Sequence, residues 1–346
     1  MTKTTRQAYF FGANTARGFV NYADDIFGGI RKRYWIKGGP GTGKSTLMKR
    51  VAAVAEEKGY TVERYVCASD DKSLDGVVIP SLSIGIADAT APHLLETRYP
   101  GASEELWDLG AFWDRRLLEE RYEAIKALVD SKSLAYASVY KYLGVGMTLR
   151  GERGRLLSSC IDKEKMEKAA ERLIRRMGAG KGFRLLPRQI TAIGMGGEVV
   201  LDTYEAMAEE RWQIVDSRGL QGAMLDCLLH HAERAGLTVL VSRDPMLEAD
   251  ALYFPEVRIA VSSRGNAEKA DRVINTERFV QRERLSDQRR RIRFLSRLEK
   301  ELMTRVSELF CEIKTKHFAL EGLYRDAMDF DAMEHETACW MQRLGL

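Results

Sequence analysis

The chain has 346 residues, 45% of them hydrophobic and 30% charged, with a formal net charge of +4. That length suits two domains, and the composition is that of a globular protein with enough apolar material for real cores. The small net charge makes no demand for a nucleic acid, no apolar run approaches a bilayer span, and a membrane is not an expected partner. Five scattered cysteines (Cys67, Cys160, Cys227, Cys311, Cys339) form no CxxC pair, and the opening MTKTTRQAYFFGANTARGF has no apolar signal core. Both features point to a reducing, cytoplasmic setting.

Arg17, in the glycine-flanked turn GANTARGFVNY, precedes the first strong strand and is a candidate to approach a ligand bound beyond it. That strand is RYWIK, short, aromatic and β-branched as a buried strand should be. Directly after it, GGPGTGKS from Gly38 to Ser45 fits GxxxxGK[ST] at every fixed position. Glycines let backbone amides close around phosphate where side chains would clash. Lys44 brings a point charge to the β- and γ-phosphates, Ser45 offers a hydroxyl to Mg²⁺, and the next helix presents its positive end to the same anion. The expected nucleotide-binding set is therefore Gly38, Gly39, Pro40, Gly41, Thr42, Gly43, Lys44, Ser45 and Thr46, with ATP and Mg²⁺ as cofactors. STLMKRVAAVAEEKG carries Leu47, Val51 and Val54 at helical spacing and stops at Gly59.

TVERYVCASD reads as a second strand. The run from Ile84 to Ala87 reads as a third, closed by Asp88, whose carboxylate would hold the water shell of Mg²⁺ opposite Ser45. Lys44 and Asp88 are thus the expected catalytic residues, and Ser45 and Asp88 the metal residues. No Glu follows Asp88 to orient water, and Asp70, Asp71, Asp75 and Glu96 are the alternative carboxylates. His93 in TAPHLLE is either a phosphate contact or the start of a helix after Pro92. From Glu104 to Tyr142 apolar residues recur every three or four positions, predicting helices. MGAGKGFRLLP, from Met177 to Pro187, is a loop and the natural join between halves near Gly180.

Beyond the join the chain repeats itself. AEEKGYTV at Ala55 is matched by AERAGLTV at Ala232, which sets Gly59 against Gly236 at an offset of 177. RQAYFFG at Arg6 echoes RQITAIG at Arg188, and VCASDD…VVIPSLSIGIAD finds a counterpart in VLVSRDPM…LYFPEVRIAVSS. Late in each half, LAYASVYKYL and FALEGLYRDAM share spacing around Tyr140 and Tyr324. The second loop reads DSRGLQGAM: nine residues separate Lys37 from Leu47, but seven separate Asp216 from Met224. It lacks GK[ST], Gln221 falls near the lysine position, Asp216 and Asp226 add negative charge, and Asp88 is replaced by Ser262 or Ser263. One working site and one degenerate copy are expected.

Farther on, Leu295, Leu298, Leu302, Val306, Leu309 and Ile313 share a helical face, suited to a helical pair or to a layer on the sheet. Arg282, Arg284, Arg289, Arg290, Arg291, Arg293 and Arg297 make RERLSDQRRRIRFLSRLEK locally basic, a solvated face or a phosphate-backbone contact. An arginine from this half, with Arg218 and Arg243 also candidates, would serve as an arginine finger.

The stretches FFGANTARGFVNY, KGGPGTGKSTLMK, SLDGVVIP, DATAPH, RYPG and the late MDF resemble a family of bacterial tandem P-loop ATPases built from two such halves. The resemblance spans most of the chain and implies an ATP-binding α/β fold and hydrolysis, but no substrate. The expected fold is a duplicated P-loop NTPase three-layer α/β sandwich, residues 1–180 and 181–346, with helical additions ending each half. The expected function is a Mg²⁺-dependent ATPase or ATP-driven switch, with a protein partner or a second copy of the chain as the companion. A kinase for a nucleoside or small metabolite and a nucleic-acid-associated ATP-binding module are the alternatives.

Overall fold

The computed structural model describes residues 7–265 and 267–344. In the first half the order is β1 (Gln7–Phe10), β2 (Gly12–Thr15), β3 (Gly18–Asn21), α1 (Ala23–Phe27), β4 (Lys32–Lys37), α2 (Lys44–Glu57), β5 (Glu63–Val66), β6 (Leu74–Ile79), β7 (Ile84–Asp88) and β8 (Glu104–Asp108). Helices α3 (Arg115–Glu120), α4 (Tyr122–Ser158) and α5 (Lys163–Met177) follow. The second half runs β9 (Arg184–Pro187), β10 (Thr191–Gly194), β11 (Gly197–Val200), α6 (Thr203–Met207), β12 (Glu210–Val215), α7 (Gln221–Arg234), β13 (Thr238–Arg243), β14 (Ala249–Phe254), β15 (Ile259–Ser262) and β16 (Arg272–Asn275). It ends with α8 (Arg282–Arg325) and α9 (Phe330–Arg343).

Each half builds a six-stranded mixed sheet with the same topology. The first is ordered β1-β5-β6-β7-β4-β8 and the second, read from the equivalent edge, β9-β13-β14-β15-β12-β16. In both, the third strand alone runs against its neighbours: β6 is antiparallel to β5 and β7, as β14 is to β13 and β15. β6 and β14 are buried along their whole length, as strands covered on both faces must be. The helices α2 and α7, of 14 residues each, stop just before Gly59 and Gly236, whose left-handed φ of 84° and 68° closes the last turn. The element order is thus that of a duplicated α/β domain.

The layers differ from a pair of separate three-layer sandwiches. Tyr9, Trp35 and Tyr65 of the first sheet, with Phe11 just beyond β1, share one core with Leu240, Ala251 and Tyr253 of the second. Each sheet therefore carries long helices on one face and, with α1 and α6, the other sheet on its second face. The outer helices are exchanged. α5 packs with α7 against the second sheet through Met166, Ala170 and Ile174, while α9 packs with α2 against the first through Met333, Trp340 and Met341. Matched backbone bonds fix the exchange: Asp114 N–H to the Ala327 carbonyl (2.7 Å) and Asp329 N–H to Phe112 (2.9 Å) on one side, Gln281 N–H to Cys160 (2.8 Å) and Asp162 N–H to Phe279 (2.8 Å) on the other. Asp162 and Asp329 also cap α5 and α9.

α4 and α8 form the antiparallel pair that carries the chain across. Arg121 donates to the Leu323 carbonyl at one end, the Tyr136 and Phe310 rings meet in the middle, and Arg150 pairs with Glu299 near the other end. Buried α8 residues include Leu285, Ile292, Glu299, Val306, Ile313 and Leu320, a seven-residue repeat like that of helices packed along their length. Of the two arrangements expected for these helices, the pair is the one found. At 1.5 Å per residue α8 is about 66 Å long.

Several expectations need correction. Glu104–Asp108 is an edge strand parallel to β4, not helix, because the Glu104 carboxylate is buried and accepts from Tyr99 N–H while paired to Arg33. The Tyr140–Tyr324 match is out of register: the exchanged turns place Cys160–Asp162 against Ala327–Asp329, so Tyr324 corresponds to Leu157. The RQAYFFG echo fails too. Gly12 opens β2 whereas Gly194 ends β10, and Arg6 lies outside the described residues.

Candidate functional site

The Gly38–Ser45 loop joins the end of β4 to the first turn of α2. Gly41 and Gly43 take left-handed φ values of 74° and 86°, which a side chain would strain. Thr42 Oγ1 donates to the Gly39 carbonyl (2.8 Å) and locks the turn. Lys44 Nζ donates to the Gly38 and Gly39 carbonyls (2.7 Å each) and stands 3.6 Å from Asp88 Oδ2. Ser45 Oγ accepts from Leu74 N–H at 2.9 Å, tying the helix start to β6. Pro40 is half-buried, and Thr46 is exposed on α2.

Asp88 ends β7 beside the loop, with Ile36 opposite it on β4. Burial pushes its carboxyl up from the ordinary range; Lys44 opposes this and the charge of Asp75 adds to it. Thr90, which the sequence reading did not single out, binds the assembly together. Its N–H donates to Asp88 Oδ1 (2.8 Å), its hydroxyl donates to the Gly38 carbonyl (2.9 Å) and accepts from Gly38 N–H (3.3 Å). The structure thus brings Lys44, Ser45 and Asp88 together at the carboxyl ends of β4 and β7, where ligands of open α/β sheets bind.

The other candidates separate. Asp70 is consumed in a turn with Ser73 and Lys72, and Asp71 and Glu96 are exposed. Asp75 is buried beside Asp88, with His93 Nε2 3.1 Å from its Oδ2. His93 starts no helix; it packs edge-on to Phe11 and Phe19. Arg17 sits in the β2–β3 turn, whose Ala16 N–H donates to Pro245 of the second half. Arg218 is paired to Glu277, and Arg243 Nη1 donates to the Leu247 carbonyl, both within the second half. The basic stretch occupies the start of α8, all seven arginines exposed, with Arg291 on Glu152 and Arg297 near Glu301. About 40 Å of helix separates Arg293 from the part of α8 that touches the loop. None of these arginines is brought to Lys44.

What does reach the loop is the far end of the chain. A Cβ on Gly41 would lie 2.6 Å from the Glu321 carbonyl oxygen, one on Gly39 2.9 Å from the Tyr324 ring, and one on Gly43 3.1 Å from Met333. Three glycines of the loop therefore also admit α8 and α9. No short-range sequence signal could have shown this.

The second loop resolves differently. Val215, not Asp216, is the counterpart of Lys37, since β4 ends with Lys37 opposite Asp108 and β12 with Val215 opposite Asn275. The loop is one residue shorter than the first, and Asp216 stands where Gly38 would. Its Oδ2 accepts from the amides of Gly219 (2.7 Å), Leu220 (2.6 Å) and Gln221 (3.2 Å); its Oδ1 accepts from Arg218 N–H (3.1 Å) and the Thr276 hydroxyl (2.7 Å). The amide nest is filled by the chain's own carboxylate. Gln221 begins α7 as Lys44 begins α2, which leaves Gly222 at the place of Ser45. Beside the nest is a cavity of about 220 Å³ lined by Arg150, Asp216, Gln221, Asp244, Ser263 and Arg264.

Among the described residues no three His, Cys, Asp or Glu side chains converge on a common metal position, and no helix is long and apolar enough to cross a membrane. No protein-family model, curated protein or solved structure matches the chain.

Proposed function

We propose that the chain is a Mg²⁺-dependent ATPase or ATP-driven switch, with a P-loop-type nucleotide site in its first half and none in its second. The observation that carries this is the Gly38–Ser45 loop itself, closing onto the start of α2 with Lys44 3.6 Å from Asp88. The amides of the loop would cradle the phosphates, aided by the N-terminal end of α2. Lys44 would exchange its two carbonyl partners for β- and γ-phosphate oxygens. The Ser45 hydroxyl and the Asp88 carboxylate would hold Mg²⁺, which when bound neutralises charge developing on the transferred phosphoryl group. The residues fit such a cation: a hydroxyl and buried carboxylates stand together without a complete protein cage, and Mg²⁺ ordinarily draws its remaining ligands from phosphate and water. The motif resemblance to tandem P-loop ATPases supports the same reading.

The test follows γ-labelled ATP with wild type and Lys44→Ala, alone and with a panel of nucleosides and metabolites. Wild type should release free phosphate without any acceptor, and Lys44→Ala should weaken ATP binding by about a hundredfold, as expected for loss of a charged bond to phosphate. Equal binding by both proteins would remove the proposal. Label appearing on an added small molecule would turn the ATPase into a kinase.

A further inference from the structure

We infer that Asp75 is the second carboxylate of the cation site, facing Asp88 across the β6–β7 ladder beside the Ser45 hydroxyl; this rests on the nucleotide reading above. The β6–β7 register sets Gly76 opposite Ala87 and Ile79 opposite Ile84, so one further step sets Asp75 opposite Asp88. On its other side Asp75 is the extra residue of a bulge, because Val66 pairs with Leu74 and Tyr65 with Gly76. Bulges re-aim side chains and recur next to active sites. Asp75 is 6% exposed, and its Oδ2, though 3.1 Å from His93 Nε2, makes no hydrogen bond of proper geometry. The preceding residue, Leu74, is the one whose N–H holds Ser45 Oγ.

Two like charges facing each other on a sheet destabilise it, more so when buried. Lys44 stands by Asp88, but among the described residues no Lys or Arg is ion-paired to Asp75, whose polar neighbours are His93 at 3.1 Å and the Cys67 thiol. The duplicated half is an internal control. Its β13–β14 ladder has the same bulge, with Arg243 on Ala249 and Ser242 on Ala251, so that Asp250 is the extra residue. Opposite Asp250 the β14–β15 register brings Ser263, not a second aspartate. There the hydroxyl of Ser45 has become Gly222, and an arginine, Arg264, stands 3.7 Å from the remaining carboxylate. The half that lost the facing carboxylate and the helix hydroxyl neutralises its bulge aspartate with a fixed guanidinium. In the half that kept both, no arginine is paired to the bulge aspartate among the described residues, and a divalent cation would take that part. Among the described residues no three His, Cys, Asp or Glu side chains converge there, so the nucleotide's phosphates would supply the remaining ligands of this cation.

The experiment titrates ATP into wild type, Asp75→Asn, Asp88→Asn and Asp250→Asn calorimetrically, once with Mg²⁺ and once with EDTA. Asp75→Asn and Asp88→Asn should each lose about tenfold or more of the gain that Mg²⁺ provides over the same variant's metal-free ATP binding, the scale on which metal-supporting residues act. Asp250→Asn, buried at the equivalent bulge, should behave as wild type. A second measurement needs no variant: Fe²⁺ replaces Mg²⁺ in the wild-type protein with ATP, and ascorbate and peroxide cleave the backbone near the metal. Cuts are expected at residues 45–46, 74–76 and 88–89. Full Mg²⁺ gain in Asp75→Asn, or cleavage that spares 74–76, overturns the inference while leaving the nucleotide site standing. A wild type that binds ATP in neither buffer removes both.

Discussion

The two loops of this molecule occupy the same place in the same sheet topology and have opposite chemistry. In the second, the Asp216 carboxylate takes the amides of Arg218, Gly219, Leu220 and Gln221. In the first, no side chain among the described residues takes the amides of Gly39 to Lys44, and the lysine is held by loop carbonyls instead. A ring of inward amides is an anion seat whatever fills it. The comparison teaches that one backbone shape can leave its amides free of side chains or close them on the chain's own carboxylate. In the second loop the Asp216 carboxylate is that anion, so the backbone shape persists without a ligand. Gln221→Lys alone should therefore confer no anion binding on the second loop while Asp216 keeps the seat.

The sharpest way to break the comparison is at the exchanged helices, since each half depends on the other's tail. Trp340 of α9 is 3% exposed and packs on Tyr34 and Trp107 of the first sheet. Trp340→Ala should cost about 4 kcal/mol, read by denaturant unfolding. It should also weaken ATP binding, although the residue lies almost 300 positions from Lys44. Unchanged stability would show that α9 does not hold the first half together.

A smaller effect is expected at the second loop. Asp216→Ala removes one carboxylate and leaves several amides without a partner, at a cost of about 3 kcal/mol. Added sulfate or phosphate should return part of the lost melting temperature in this variant and none in wild type. A variant insensitive to anions would mean the nest closes up once the carboxylate is gone.

The smallest effect concerns Asp250, whose carboxyl is pushed up to about 6 from 3.8, chiefly by burial, with the nearby Thr191 and Ser242 hydroxyls and the Arg264 charge pulling it down. A carboxyl whose pKa is raised on folding favours the fold while protonated, and that contribution is lost as pH rises from about 4 through about 6. Asp250→Asn should therefore stabilise the protein by about 2 kcal/mol at pH 8, and by progressively less toward pH 4. Melting curves across that range check it; a gain independent of pH would point to packing rather than charge.

Much of the first site was legible because its requirements are local. Strand RYWIK, the glycines at fixed spacing, Lys44, Ser45 and the helix stopping at Gly59 lie within one continuous stretch, so propensity, spacing and chemistry could be read together. Asp88 was legible for a related reason, as a polar residue ending an apolar strand. The degeneracy of the second loop was visible in its lost lysine, although its alignment was off by one residue until the paired strands Lys37–Asp108 and Val215–Asn275 set the register.

What only the tertiary structure decided are the relations across the duplication. Helical spacing in Arg282–Arg325 shows which face is apolar but not what covers it, and the partner proved to be α4 of the other half. The glycines at 39, 41 and 43 suit phosphate on sequence grounds, yet their open sides admit Tyr324, Glu321 and Met333 from the far end of the chain. Asp75 looked like any loop carboxylate until strand pairing set it opposite Asp88, and Asp216 looked like stray charge until it closed on its own amides. The physical reason is common to all four. A sequence determines which groups are apolar, charged or free to turn, but the energy of a buried charge or a packed face depends on its neighbour, and only folding chooses that neighbour.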